Sequence, residues 1–543
     1  MGIHIGIAKI LLGKEYPLTF TVQTTGVETF TLPLGVGSHN FFVDWGDGST
    51  NMIYSATDAN RIHVYASAST YTVRMSGQCT NFAFNGGGDR LKVKSITSLG
   101  DLDFKTLNFY GCTAITSLPD TAYLRSLTTA SEMFRGCTGL TAVTANLFKN
   151  CTKITSFQSC FNGCTGLTSI PSDLFRYNTL ATNFTSVFAG CNNAALTSIP
   201  SDLFRYNTAV TTFSGIFQST KITTVPTDIF RYNTLVTNFS YLLYNNAAFN
   251  TIPVDVFRYN IAATNFDFAF QSCTSLTTIP VDTFRYNVAA RTFNTTFYLT
   301  SIPSIPATLF DACVLATSFA DTFNGCSSIT SIPTDLFRYN IKVTSFNSTF
   351  RSCSGLTAIV TDLFRYNVLV TDFTNIFNGC LNIALTTIPT DLFRYNVAVT
   401  AFVNSFSNTK ITTVPTDTFR YNTAVTSVSG VFSSNTELAT LPAELFKYNT
   451  LCLNFSSAFY ECAKLQQHDT IFCAVADIAT RFAGKTINFT SCFYRSTFTG
   501  TIGTAPDLWN YTMTGSTKTT CWGGAGNSLT SLTNYASIPA AWK

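Results

Sequence analysis

The sequence repeats itself about every 27 residues, and that period limits the fold more than any other property of the chain. The block L-T-S-I-P-S-D-L-F-R-Y-N recurs with its second apolar anchor at Phe148, Phe175, Phe204, Phe230, Phe257, Phe284, Phe310, Phe337, Phe364, Phe393, Phe419, Phe446 and Phe472, in steps of 27, 29, 26, 27, 27, 26, 27, 27, 29, 26, 27 and 26. Thirteen coils are therefore visible, the outer ones degenerate. A unit this small cannot enclose a core of its own, so stability must come from stacking on its neighbours, and the chain reads as a repeat solenoid. The two 29-residue steps carry similar insertions, CNNAALTSIP before Phe204 and CLNIALTTIP before Phe393, seven coils apart, and both following coils reach KITTVPTD. This points to a duplicated seven-coil block.

Local chemistry sets the expected path of one coil. Leu167-Thr-Ser-Ile170 alternates apolar and small β-forming residues and predicts a short strand, stopped by Pro171. Ser172 is a suitable N-cap, Asp173 suits the positive end of a short helical turn, and Asn178 can close that turn in the left-handed region. Leu180, Phe184, Val187 and Phe188 supply further inward groups on the return leg. The expected architecture is a parallel β-sheet with short helical turns, one strand per coil.

Outside the repeat the composition changes. Residues 1–16 (MGIHIGIAKILLGKEY) are apolar in flavour with one early basic residue, Lys9, and predict an N-terminal docking segment or first strand rather than a secretory signal. Over 17–95, Phe41-Phe-Val-Asp-Trp-Gly-Asp-Gly48, His63-Val-Tyr65 and Thr70-Tyr-Thr-Val-Arg-Met-Ser-Gly77 predict strands joined by an Asp/Gly turn, an all-β sandwich. The solenoid is expected over 96–475. Residues 476–543, with Trp509, Trp522 and Trp542, are expected to cap its last apolar face.

The W-G-D-G-S and Y-T-V segments resemble the polycystic-kidney-disease-type (PKD) domain, an immunoglobulin-like adhesion module. F-x-G-C-x-x-L-T-S-I-P-x-D-L-F, as in Phe161 to Phe175, resembles the BspA-like leucine-rich repeat family of surface proteins over about residues 105 to 475. That resemblance implies a leucine-rich-repeat-like solenoid used for binding, in bacterial adhesins or in phage-encoded relatives that carry a similar sandwich in front. With no secretion signal, sorting tail or hydrophobic anchor recognised, the phage-encoded type is the expected one.

Composition narrows the partners. The net charge of +4 comes with no run of Lys or Arg, which argues against a nucleic-acid partner. No apolar stretch approaches the ~20 residues of a membrane helix, so no membrane insertion is expected. Nine of the 17 cysteines, Cys112, Cys137, Cys164, Cys191, Cys273, Cys326, Cys353, Cys380 and Cys462, occupy one F-x-x-C slot. Thr220, Asn246, Thr300, Thr409 and Asn435 replace them in other coils. A slot that accepts any small polar side chain predicts a backbone-satisfying ladder of free thiols, not a disulfide framework or a metal site.

The candidate site is the D-x-F-R-Y-N corner. Asp173, Asp202, Asp228, Asp255, Asp282, Asp335, Asp362, Asp391 and Asp417 each precede an arginine by three residues. The Arg and Tyr pairs are Arg176 and Tyr177, Arg205 and Tyr206, Arg231 and Tyr232, Arg258 and Tyr259, Arg285 and Tyr286, Arg338 and Tyr339, Arg365 and Tyr366, Arg394 and Tyr395, and Arg420 and Tyr421. One reading is structural: stacked Asp and Arg ladders offset each other's repulsion, although exposed pairs contribute only ~0.2–1 kcal/mol each. The other is functional: Arg and Tyr favour interfaces, aromatic faces stack on sugars, and a repeated stripe suits a repeating polymer.

No catalytic residue, cofactor site or metal site is predicted. The four histidines lie outside the array, and Asp44, Asp47 and Asp58 read as turn residues before calcium ligands. The expected role is a virion structural protein, a fibre, appendage or surface decoration for host attachment. Its partners would be other virion proteins through the N-terminal region and a host-surface glycan or protein, with a homo-oligomer compatible with that role. A bacterial cell-surface adhesin is the alternative; a glycan-acting enzyme is the second.

Overall fold

The structure, a computed structural model, describes residues 16–495, 503–513, 515–524, 530 and 532–543. All but the last residue of the expected docking segment lies outside them. The chain divides into two compact units, one of residues 1–263 with 273–275 and one of residues 264–272 with 276–543.

The first unit opens with nine strands. They are β1 (Leu18–Gln23), β2 (Glu28–Thr31), β3 (His39–Asp44), β4 (Thr50–Ile53), β5 (Ile62–Tyr65), β6 (Thr70–Cys79), β7 (Asn81–Ala83), β8 (Val93–Ser98) and β9 (Thr106–Asn108). Five form an antiparallel sheet in the order β4-β3-β6-β1-β8, and β2 pairs with β5 in a second sheet. Leu18, Phe20 and Val22 on β1 alternate inward, and Phe20 meets Phe30 of β2 at 6.0 Å between ring centroids. The expected boundary at residue 95 is too early, because β8 pairs with β1 as far as Ser98. β7 and β9 then pair in parallel, and Phe109 packs on Phe20 and Phe82. The core of the N-terminal sheets therefore runs into the first coil without a linker.

Three buried columns, mostly of phenylalanine, run through the coils, with Leu243 and Val428 standing for Phe at single rungs. In the second unit Phe337 stacks between Phe310 and Phe364 at 6.2 and 6.4 Å, Phe346 lies between Phe319 and Phe373 at 6.0 Å each, and Phe350 lies between Phe323 and Phe377 at 5.7 and 5.9 Å. The columns touch one another in tilted pairs, Phe337 with Phe346 at 4.7 Å. Offset and tilted rings suit the aromatic quadrupole and leave little void.

The backbone differs from the expected path in three ways. Parallel bridges run along the return leg rather than along L-T-S-I. One row joins Ser156, Asn183, Thr212 and Asn238, and another runs from Asn265 through Thr292, Ser318 and Ser345 to Thr517. On this leg alternate amides donate to the next coil, as from Phe157, Ser159, Phe161 and Gly163 to Asn183, Thr185, Val187 and Ala189. The L-T-S-I leg bridges only at some coils, including Thr387, Thr413 and Thr440. These are single-residue bridges, not extended strands, because left-handed residues interrupt the leg. Ser348 and Ser352 are at φ 55° and 56°, and the matching positions elsewhere include Gly163, Gly379 and Leu299 at 73°, 77° and 57°.

Second, D-L-F-R-Y-N forms consecutive tight turns, with Arg176 N–H donating to Asp173 O and Asn178 N–H to Phe175 O, both at 3.1 Å, and not a helical turn. Third, coil stacking does not stop at 475. Asn454 bridges Asn488, which bridges Thr517, and Phe459, Phe493 and Trp522 continue one aromatic column. The region expected to be only a cap begins with irregular coils, and Trp522 and Trp542 close them at 5.5 Å from each other.

Candidate functional site

The side chain expected to close the turn, Asn178, instead points into the core. It is fully buried, and its Nδ2 donates to the carbonyls of Phe148 and Cys151 in the preceding coil at 3.3 and 2.8 Å. Asn207, Asn233, Asn260, Asn340, Asn367, Asn396, Asn422 and Asn449 do the same. This ladder fixes where R-Y must emerge. Sequence reasoning assigned the ladder to the F-x-x-C slot alone, and that slot forms a second one: the Cys164, Cys353 and Cys380 thiols donate to Phe134, Phe323 and Phe350 carbonyls at 3.1–3.2 Å. All 17 cysteines are buried, none in a disulfide. Burial pushes the Cys191, Cys273 and Cys380 thiols up to about 12.

With Asn turned inward, the preceding Arg and Tyr stand on the surface. All nine predicted Asp–Arg pairs form, at 3.0 to 3.7 Å within the coil. The arginines also bridge coils. In the first unit Arg176 lies 5.8 Å from the Tyr177 ring centroid and 5.1 Å from that of Tyr206; Arg205 and Arg231 repeat the arrangement through Tyr232 to Tyr259, with Arg258 5.8 Å from Tyr259. In the second unit Arg285 lies 5.7 Å from Tyr286, and Arg338, Arg365 and Arg394 each sit between their own tyrosine and the next, Tyr366, Tyr395 and Tyr421, at 5.2–5.4 Å. The result is an alternating cation–π ladder in each unit, with Tyr177, Tyr232, Tyr259, Tyr339 and Tyr366 more than a third exposed.

Three features of this face were missed. Lys149 over Tyr177, and Arg420 with Lys447 around Tyr448, extend the ladder, signalled by F-K in place of F-R. A row of exposed aliphatic groups follows most of the buried Asn residues by one or two positions, including Leu180, Leu235, Ile261, Ile341, Val368, Val397 and Leu451. The ladder also breaks at the Phe310 coil, where Asp311 and Ala312 stand for Arg and Tyr and open a cleft of about 440 Å³ beside Asp282 and Arg285. Burial and the neighbouring Asp335 hold the Asp311 carboxyl above its ordinary range, with Arg338 opposing.

The acids of the N-terminal β region serve turns. Asp44 accepts from Gly46 N–H, and Asp58 from Tyr54 and Asn60 N–H. Asp47 accepts from Ser49 and pairs with His63 at 2.7 Å, while the His63 ring stacks on Trp45 at 4.7 Å. One ring nitrogen of His63 faces both Asp47 and Ser49, which clamps a hairpin and leaves no relay to the serine. Among the described residues no group of His, Cys, Asp and Glu is placed to hold a metal ion.

Parallel inter-coil bridges and a buried Asn/Cys ladder together define the construction. The repeat is leucine-rich-repeat-like. A family model described as a Mycoplasma protein of unknown function, DUF285, matches residues 128–255 and again 182–301, starts separated by 54 residues or two coils. The matches span about a third of the chain. No curated protein matches the sequence. Among solved structures, the chain is similar to the Toll–Spatzle complex, described as a hub in Drosophila development and innate immunity, at 14% identity over 74% of this chain and 54% of that one, with a TM-score of 0.35. A glycosylated form of the complex gives 14% identity, 74% and 58% coverage and a TM-score of 0.39, and a TLR13–ssRNA13 complex gives 11%, 74%, 67% and 0.25. The chain thus spans little more than half the length of the Toll-complex chains it matches. At such scores the fold is read from the coils themselves.

Proposed function

We propose that the chain is a non-enzymatic binding scaffold of a phage particle whose Arg/Tyr face attaches to a repeating polymer on the host surface. The observation that carries this reading is the ladder: half-exposed tyrosine faces recur in register from coil to coil, the Phe310 coil excepted, separated by guanidinium groups whose orientation is already fixed by Asp and Tyr. A fixed donor array loses little freedom on binding, and every rung offers the same stacking and hydrogen-bonding chemistry, which suits a repeating glycan. The resemblances to BspA-like surface proteins and to a PKD-type, immunoglobulin-like sandwich support display on a surface, with the sandwich end as the attachment point to other virion proteins.

The match to a Mycoplasma family favours a second reading, a bacterial cell-surface adhesin with the same binding face. Two measurements separate and test them. Antibody labelling should mark purified phage particles for the first reading and protease-accessible intact cells for the second. A host-glycan array should bind the full chain and lose signal at least tenfold with Tyr366→Ala and Tyr395→Ala together. Undiminished glycan binding in that double variant rejects the ladder as the binding face.

A further inference from the structure

The Arg/Tyr ladder of the second unit ends in a cleft of about 460 Å³ whose walls include Lys447, Tyr448, Asp477, Thr480, Arg481 and Lys485. Tyr448 is the last rung: it takes Arg420 at 5.1 Å from its ring centroid and Lys447 at 6.0 Å. Arg481 stands out from every other arginine of the ladder. It is 93% buried, on the short helix Ile478–Phe482, with its guanidinium 5.1 Å from the Phe482 ring centroid and 6.0 Å from that of Phe455. Its Nη2 donates to Asn449 O at 2.9 Å, while among the described residues Nε and Nη1 have no hydrogen-bond partner and the side chain has no ion pair.

A buried guanidinium with two unsatisfied nitrogens is costly unless an anion completes it. The local charges permit one. Lys447 is already paired with Glu444 at 2.9 Å, and Lys485 and Arg481 face a single carboxylate, Asp477, which pairs with neither. Burial also holds the Arg481 guanidinium below its ordinary range. Tyr448, 44% exposed, adds an aromatic face at the mouth. A planar oxyanion on a ring fits this combination: the anion toward Arg481 and Lys485, the ring toward Tyr448.

We propose that this cleft is an oxyanion site that takes the carboxylate of an acidic sugar, so that the glycan bound along the ladder is anchored at a uronic-acid-like residue. The saccharide part of this assignment rests on the ladder reading; the oxyanion part does not.

The test is ligand-observed NMR on the full chain with glucuronate, glucose and inorganic sulfate, in parallel with a neutral oligosaccharide. Glucuronate should bind at least tenfold more tightly than glucose, sulfate should displace it, and Lys485→Glu, a surface change, should weaken it at least tenfold while Lys485→Arg retains it. Arg481→Gln should abolish binding; circular dichroism separates loss of the site from loss of the fold. Equal binding of glucuronate and glucose, or glucuronate binding indifferent to Lys485→Glu, overturns the proposal. Sulfate binding without glucuronate binding overturns the assignment to a sugar and leaves an inorganic-ion site. Failure of the ladder reading looks different: neutral oligosaccharide then binds no variant, while glucuronate still responds to Lys485.

Discussion

The side-chain amide of Asn367 donates to the backbone carbonyl of Asn340, one coil earlier, at 3.0 Å, and to that of Phe337 at the same distance. Because Asn340 does likewise to Cys313 and Phe310, the ladder ties each corner to the previous one inside the core. Asn367→Ala should remove two buried hydrogen bonds to carbonyls that keep one backbone donor each, and cost about 1–3 kcal/mol. A repeat array need not unfold in one step, so the decisive readout is hydrogen exchange. Protection should fall in the coils around residues 337–370 and hold in the N-terminal sheets; unchanged protection in those coils removes the ladder from the account of stability.

Phe337 touches Phe310, Phe346 and Phe364 and is fully buried. Phe337→Ala removes a ring that no neighbour can replace and should cost about 3–5 kcal/mol. Phe337→Leu should recover part of that loss. The midpoint of urea unfolding checks both.

Leu299 occupies a left-handed position, φ 57°, that Gly325 and Gly379 fill in other coils at 74° and 77°. Its side chain is 43% exposed, so little burial is forfeited by removing it. Leu299→Gly should relieve strain and raise stability by roughly 0.5–1 kcal/mol. A lowered thermal midpoint would show that Leu299 contributes contacts worth more than the strain.

Asp47 links the N-terminal β region to pH. Burial raises its carboxyl, but hydrogen bonds from Ser49 and the His63 partner outweigh this and hold it down to about 2, against 3.8 for an ordinary aspartate. A depressed folded-state value stabilises the fold above pH 3.8 and loses that contribution as the pH falls toward 2, a contribution that solvent screening keeps small at this exposed turn. Trp45 fluorescence followed from pH 6 to 2 should show an acid limb that Asp47→Asn flattens; the same limb in both proteins assigns the acid sensitivity elsewhere.

The thiols give a further measurement. Burial raises those of Cys137, Cys191, Cys273 and Cys380 to about 12, far from the thiolate a disulfide reagent needs. The native chain at pH 8 should react slowly with a thiol reagent, and all 17 cysteines should react on denaturation. Rapid reaction of several cysteines in the native state would show that the coils open.

The period of about 27 residues determined the solenoid, the three apolar columns and the Asp, Arg and Tyr corner, because side chains repeated in sequence must repeat in space once coils stack. The small-residue slot likewise betrayed a ladder, since only a backbone role accepts Cys, Thr and Asn alike. What the sequence could not decide was direction. Asn178 suits a left-handed turn or a buried amide equally well, and only the carbonyls that stacking places above it made the second choice. The inter-coil backbone bonds fell on the Phe157–Gly163 leg for the same reason: alternate left-handed residues there aim amides along the stack, a property visible in the glycine of F-x-G-C but concealed where serine or leucine adopts the same φ. Arg481 is the extreme case. In sequence it is one of two arginines beyond the last regular coil, with no motif around it, and only tertiary packing buries it between Phe455 and Phe482 at the edge of a cleft.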